Sequence, residues 1–463
     1  MNLLSNTSKL LNTVFDILDR QFLDTYVIMN KYDEMPESIP SDIDINISQI
    51  DFQRLDFIIT ELSKETGLLI TQKIWSNYRQ CAYILSSINL TQPFRVQLDF
   101  FSDFGMTSIP LLIPCVEINC NTRRYGRFNV PAYHVEYVFL LFRRIFKNDF
   151  SVAHCHTLKT ALNHDVDKIV AYSALYFGNE LANEISDKVL KEDINGLLKI
   201  RPILLKQMNK HSLKQAFGSY YFRYWYDHLI RTIFRVKYPV GMSIALLGPD
   251  GCGKSTIYEK IEYICYGSFH GIEKKYFRPR LFKNIGHYNI LNPTEEGETN
   301  PDPHGVSQDS FFKSLVRYSF YNIDFVLGYW LIIKKLEIKK KLVIFDRYYY
   351  DYYVDMKRYK YNLPKWLPRL WGWLIPKPDL IFILDGNAQV FYERKKELTL
   401  EELERQIIEY RKLAASIRNT LLINAIKPID KVSMSITNHI LLYKAERTAK
   451  MMGNTLNDSG LPI

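Results

Sequence analysis

Gly248-Pro249-Asp250-Gly251-Cys252-Gly253-Lys254-Ser255-Thr256 is the stretch that decides how this chain folds. It matches G-x-x-x-x-G-K-[ST] in full, and its setting fits the match. The run Ser243-Ile-Ala-Leu-Leu247 before it reads as a strand, and Ile257, Ile261 and Ile264 after it recur at helical spacing. Glycines at such a turn let the backbone curl until successive N–H groups face one point, where phosphate oxygens are held. The helix start adds partial positive charge. Lys254 would bridge the β- and γ-phosphates of ATP, and the Ser255 hydroxyl would complete a Mg²⁺ shell. ATP and Mg²⁺ are therefore the expected cofactors. Gly248, Asp250, Gly251, Gly253, Lys254, Ser255 and Thr256 are the expected binding residues.

Further strands follow at 342–345 (LVIF), 380–384 (LIFIL) and 420–423 (TLLI), with helical stretches between them. That order predicts an α/β fold, a parallel sheet with helices on both faces. Thr399 and Glu402 form a capping box that opens a helix over 400–418. Asp346-Arg347 follows the 342–345 strand directly, at the sheet's carboxyl edge, where open α/β folds bind ligands. Asp346 would hold the metal or its water, and Arg347 would clamp an acceptor phosphate with its planar fork. Asp351 and Asp355, four residues apart, would share a helix face and orient acceptor hydroxyls; the alternative is a solvated acidic face offsetting Lys357 and Arg358.

Gly248–Thr256, Asp346-Arg347-Tyr348, and Pro378–Asp385 followed by Arg394 resemble the thymidylate kinase family of P-loop kinases, over roughly residues 240–445. The resemblance implies transfer of the γ-phosphoryl group of Mg·ATP to a nucleoside monophosphate. It implies that Asp250 lies near the acceptor and that Arg394, Lys395 and Lys396 form a basic lid over the transferring phosphate. Arg278 or Arg280, in YFRPRLF, would meet the acceptor phosphate. The family's acceptor-binding sequence is replaced here by the tyrosine-rich segment 348–358, and Asn292–Gln308 has no counterpart in it. In this respect the chain is similar to divergent thymidylate kinase-like proteins encoded among bacterial surface-polysaccharide genes, so a nucleotide and a sugar both stand as acceptors.

In the amino-terminal half, Asp42 and Asp44 lie two apart in the alternating run DIDINIS (42–48), so they share one strand face while Ile43, Ile45 and Ile47 take the other. FRVQLDF (94–100) alternates likewise and presents Asp99 opposite its apolar residues. If these strands are neighbours, three carboxylates converge, a way to hold Mg²⁺ against a triphosphate. TYVIM (25–29) reads as another strand, and Leu55, Ile58, Ile59 and Leu62 mark a helix ending at Gly67. Residues 5–130 resemble the polymerase-β type of nucleotidyltransferase, an α+β fold whose metal acids Asp42, Asp44 and Asp99 match. That family's phosphate-binding Gly-Ser is replaced by Met29-Asn30-Lys31-Tyr32.

The expected organisation is a nucleotidyltransferase-like domain over 1–130, a helical extension and linker over 131–237, and a P-loop domain over 238–463. The 463 residues are 47% hydrophobic and 24% charged, ordinary for a globular chain, which excludes disordered and collagen-like classes. The net charge of +10 sits mostly in the second half: 27 basic and 25 acidic side chains in residues 1–237, 33 and 25 in 238–463. Anionic substrates are its first explanation and a membrane surface its second. Six cysteines without a C-x-x-C pair, and no basic-then-apolar leader, predict a cytoplasmic protein, at most membrane-peripheral. Tyr220–Phe234 mixes aromatics with arginines, a pattern that suits a neighbouring domain, a bilayer surface or stacked bases. No feature specifies a nucleic-acid partner, and a homodimer is left open. His154, His156 and His164 lack zinc-ligand spacing and read as surface residues.

Overall fold

A computed structural model describes residues 3–23, 25–88, 94–265, 268–283 and 308–463. The chain divides into two compact units, Met1–Thr232 with Lys444–Ile463, and Ile233–Tyr443.

The first unit is built on five strands: β1 (Val27–Ile28), β2 (Ile43–Asn46), β3 (Leu69–Asn77), β4 (Gln80–Ser86) and β5 (Arg95–Phe101). They lie in the order β1-β2-β5-β4-β3, with β2 and β5 parallel and the other neighbours antiparallel. Alternation sends Ile43, Ile45, Val96, Leu98 and Phe100 to one face, where Leu11, Val14, Phe15 and Leu18 of the first helix and Ile58, Ile59 and Leu62 of the helix Leu55–Thr66 cover them. That second helix ends as expected. Gly67 takes φ +69° and donates its N–H to Ser63 O at 3.0 Å.

Two hairpins follow, β6 (Asp103–Met106) with β7 (Ile109–Pro114) and β8 (Thr122–Tyr125) with β9 (Phe128–Pro131). Helices then run to residue 237. They are not a separate extension: Val135, Phe139, Phe142, Leu158, Ile185, Leu197 and Leu204 share one core with Val27, Met29, Phe101 and Phe104.

The last residues also depart from the expected organisation. Residues 444–463, assigned by sequence to the P-loop half, belong to the first unit. There Lys444 Nζ donates to Gln72 at 3.1 Å, Thr448 Oγ1 to Thr71 O at 3.1 Å, and Asn454 to Thr60 at 2.9 Å. The third of these residues lies just beyond the long final helix, Ile429–Met452.

Among the described residues the second unit holds five strands, β10 (Met242–Leu247), β11 (Ile272–Tyr276), β12 (Leu342–Asp346), β13 (Leu380–Asp385) and β14 (Thr420–Asn424), in the order β11-β12-β10-β13-β14 and parallel throughout. The strand that leads into the glycine-rich loop Gly248–Gly253 is therefore central. The three inner strands β12, β10 and β13 are covered on both faces and read as unbroken apolar runs. Period 2 still sorts them. Ile244, Leu246, Ile344 and Phe382 enter one core, and Ala245, Leu247, Val343, Phe345 and Ile383 the other.

The second of these cores is tyrosine-rich. Tyr348, Tyr349, Tyr350 and Tyr352 are all buried in it, with Tyr318 and Tyr361. Hydroxyls at that depth need partners. Tyr348 donates to Pro376 O at 2.6 Å, and Tyr349 to Pro368 O at 2.8 Å. The segment that sets the chain apart from the family pattern is thus largely packing.

Candidate functional site: a phosphate loop over a buried arginine–carboxylate lock

β10 ends at Leu247, and the helix Lys254–Cys265 starts within the motif. Between them Gly248, Gly251 and Gly253 take φ of +149°, +79° and +94°. These are values that favour glycine, and the loop between strand and helix has the curl the motif requires. Gly251 carries a second constraint, since a Cβ there would lie 2.4 Å from Phe391 O, in the helix Ala388–Arg394, and 3.4 Å from Lys395 Cβ. The basic segment 394–396 therefore begins directly against the loop. Gly251→Ala is expected to cost about 1–3 kcal/mol through its backbone conformation alone. Its steric clash should weaken ATP binding further, read by titration with a fluorescent ATP analogue alongside a thermal melt.

Lys254 Nζ donates to Gly248 O at 2.8 Å and Pro249 O at 2.9 Å, so the ammonium lies across the loop. Ser255 and Thr256 are exposed at the start of the helix. Asp346 is the strand partner of both Leu246 and Tyr276, so it stands at the carboxyl edge between β10 and β11. Its Oδ1 is buried without a hydrogen-bond partner among the described residues, and Oδ2 lies 3.7 Å from Lys274 Nζ. A buried carboxylate oxygen lacking a donor suits a cation or its water, so Asp346 and the Ser255 hydroxyl fit Mg²⁺.

Arg347 is placed differently from its expected role. Its φ is +69°, its side chain is buried, and its fork joins Asp250 at 2.6 Å to Asp351 at 2.8 Å. A guanidinium spent on two carboxylates in the interior is a lock between the phosphate loop and the segment after β12, rather than a clamp on an acceptor. Asp351 and Asp355 are likewise neither a solvated face nor open to an acceptor. Asp351 is fully buried and also accepts from Tyr410 at 2.9 Å and Tyr359 at 3.2 Å. Asp355 accepts from Gln406 at 3.1 Å and from the backbone N–H of Arg358 at 3.1 Å.

Arg358 extends the lock by donating to Asp250 as well, with its Nε 3.6 Å from Asp355. Burial pushes the Asp250 carboxyl up, but the charges of Arg347, Lys254 and Arg358 outweigh it and hold the group below its ordinary value. Arg358, Tyr410 and Gln406 were not among the expected site residues. Only Arg358 had a sequence signal, its place in the charged, tyrosine-rich segment that follows Asp351; Tyr410 and Gln406 come from a helix more than fifty residues onward and had none.

Arg278 is buried, donating to Asp324 at 2.6 Å and Phe282 O at 2.8 Å with Tyr321 beneath it at 4.6 Å. It fastens its own loop and does not face an acceptor. Arg280 is exposed, and its backbone N–H shares Asp324 at 3.2 Å. Arg394, expected in a lid, is exposed at the end of the helix Ala388–Arg394 and donates to Ala425 O at 3.3 Å. Residues 292–307 lie outside the described residues.

In the first unit, Asp44 and Asp99 are register partners on β2 and β5, and one oxygen from each of Asp42, Asp44 and Asp99 lies within 4.8 Å of the others. The donor set fits a divalent cation. Cationic side chains already stand there: Arg143 donates to Asp44, and to Asp42 at 3.3 Å, while Lys31 meets Asp42 at 3.0 Å. Burial raises Asp42, but the Ser41 and Lys31 hydrogen bonds and the Lys31 and Arg143 charges bring it to about 2.

Asp99 goes the other way, pushed from 3.8 to about 7 by burial and then by the Asp44 carboxylate. An acid whose folded pKa is raised contributes stability fully below its unfolded pKa and loses it as pH rises through the folded one. In metal-free buffer, wild-type stability should therefore carry a decline between pH 3.8 and about 7 from this group. Asp99→Asn is expected to remove that decline and to melt higher than wild type above pH 7, as thermal melts across the range would show.

Of the histidines, His154 hydrogen-bonds Asp149 O at 2.7 Å and His164 stacks on Tyr133 at 3.6 Å, both structural contacts. No helix among the described residues is long and apolar enough to cross a membrane. No protein-family model matches this chain, and no curated protein matches it either.

Proposed function

We propose that the chain is an ATP-dependent phosphotransferase, its second unit transferring the γ-phosphoryl group of Mg·ATP to a nucleoside monophosphate or a sugar-like acceptor. The observation that carries the reading is the phosphate loop at the carboxyl edge of the parallel sheet, with Asp346 on one side and the basic segment 394–396 against Gly251. Phosphoryl transfer asks a protein mainly for positioning and for positive charge around the equatorial oxygens. Loop amides and Lys254 hold the triphosphate tail. Ser255 and Asp346 would hold Mg²⁺, which would supply further positive charge to the triphosphate. Arg394, Lys395 and Lys396 supply charge from the lid side, which also limits water at the reacting phosphorus. Arg347 acts as a positioning residue that fixes Asp250 at the loop.

Nucleoside monophosphates, free sugars and glycan ends, added one class at a time, test the proposal. Faster ADP release with one class supports it. Equal, slow release with every class would instead fit an NTP-dependent switch that has no acceptor.

The convergence of Asp42, Asp44 and Asp99 supports a second reading, nucleotide transfer by the first unit with the P-loop unit as its regulator. The Arg143 and Lys31 pairs compete with it, because they already balance much of the charge a metal would balance. Loss of labelled-nucleotide transfer in Asp42→Ala, with acceptor phosphorylation retained, would favour this second reading.

A further inference from the structure

The helix Ser219–Lys237 turns the usual amphipathic arrangement inside out. Its buried residues are Tyr224, Asp227 and Arg231. They dock through polar contacts: Tyr224 Oη donates to Met106 O at 2.6 Å, and Asp227 accepts the Tyr78 N–H at 2.9 Å. The opposite face is apolar and open. Phe222 is 75% exposed, Tyr226 64% and Leu229 59%, with Trp225 beside them at 36%. These residues recur at helical spacing, so they form one stripe. Just before it, Phe217 is 89% and Leu213 50% exposed, at the mouth of a groove of about 740 Å³ that Lys206, Lys210 and Lys214 also line.

Charge accompanies the stripe. Residues 201–232 carry Arg201, Lys206, Lys210, Lys214, Arg223 and Arg231 against a single carboxylate, Asp227. Among the described residues, Lys206, Lys210 and Lys214 form no ion pair. We propose that this face of the first unit docks on an anionic lipid bilayer, lying in the headgroup plane without crossing it. The stripe enters the apolar boundary, and the lysines meet lipid phosphates. The charge selects this occupant over others. Two copies meeting through the face would bring their lysines together, and a nucleic acid would satisfy the lysines but leave Phe222 and Leu229 in water. The inference is independent of the phosphotransferase reading.

Co-sedimentation of the full chain with vesicles is the test. Wild type should bind vesicles of phosphatidylglycerol and phosphatidylcholine, bind pure phosphatidylcholine poorly, and detach as salt rises. The pair Phe222→Asp and Leu229→Asp should lower partitioning by about tenfold or more, with melting temperature unchanged. Lys206→Glu with Lys210→Glu should remove the preference for anionic lipid. Wild type left in the supernatant of anionic vesicles overturns the proposal, as does undiminished binding by the aspartate pair. A wild-type dimer that the aspartate pair converts to monomer, without vesicle binding, assigns the face to a second copy and also overturns it.

Discussion

Lys254→Ala is expected to lower phosphoryl transfer by about 10²–10³-fold, the loss that follows removal of one preorganised positive group from a reacting centre. The ammonium donates to two loop carbonyls, Gly248 O and Pro249 O, and to Cys252 Sγ at 3.5 Å, and no ion pair among the described residues involves it. Its removal therefore leaves the cores of the second unit intact, and the melting temperature should stay near wild type. The useful comparison is Lys254→Arg, which keeps the charge but places it on a longer, planar head. If charge in the right place is what matters, this variant should also be slow. ADP release measured with the best acceptor checks both. Wild-type turnover in the alanine variant would remove the phosphate loop from the chemistry.

The second large effect concerns folding. Arg347→Met should destabilise the second unit by about 3–5 kcal/mol, because it strands charge on Asp351 in the interior and leaves Asp250 with Arg358 as its remaining ion-pair partner. The pair-breaking penalty belongs to the carboxylates left behind, so adding Asp351→Asn should recover part of it, a double-mutant signature that simple loss of packing would lack. The pH dependence has a definite sign. Asp250 is held below its ordinary value of 3.8, so its contribution is present at neutral pH and fades as pH falls below that value. The gap between wild type and Arg347→Met should therefore narrow in acid. Urea unfolding at neutral and acidic pH would measure it, and a gap that is constant or widens in acid would argue that Arg347 does not act through Asp250.

Legibility in the sequence followed how local each signal was. The strand–loop–helix turn at 242–265 was readable because a strand, three glycines and a helix lie within one continuous stretch, each with its own period or conformational demand. Asp44 and Asp99 were readable as a pair because strict alternation puts a residue on a face, and the only remaining question was whether β2 and β5 were neighbours. β3 escaped notice because bulges between Ile70 and Gln72 and between Trp75 and Asn77 break its alternation.

The lock around Arg347 was misread for a different reason. Spacing says which side chains share a face, but not whether that face meets water, and the aspartates at 351 and 355 turned out to be roofed by Tyr410 and Gln406 from a helix more than fifty residues onward. Arg278 was misread in the same way, since its partner Asp324 is distant in sequence. Buried ion pairs are non-local, and a linear motif does not record them.

The return of residues 444–463 to the first unit has a consequence for biosynthesis. A chain emerging from the ribosome in order would finish every described strand of the first unit, then make the entire parallel-sheet unit before the segment that meets Gln72, Thr71 and Thr60 appears. Domains tend to fold as units during synthesis, amino-terminal first. Of the two units, the one whose translation starts first is completed second, and until then it must wait with those partners exposed.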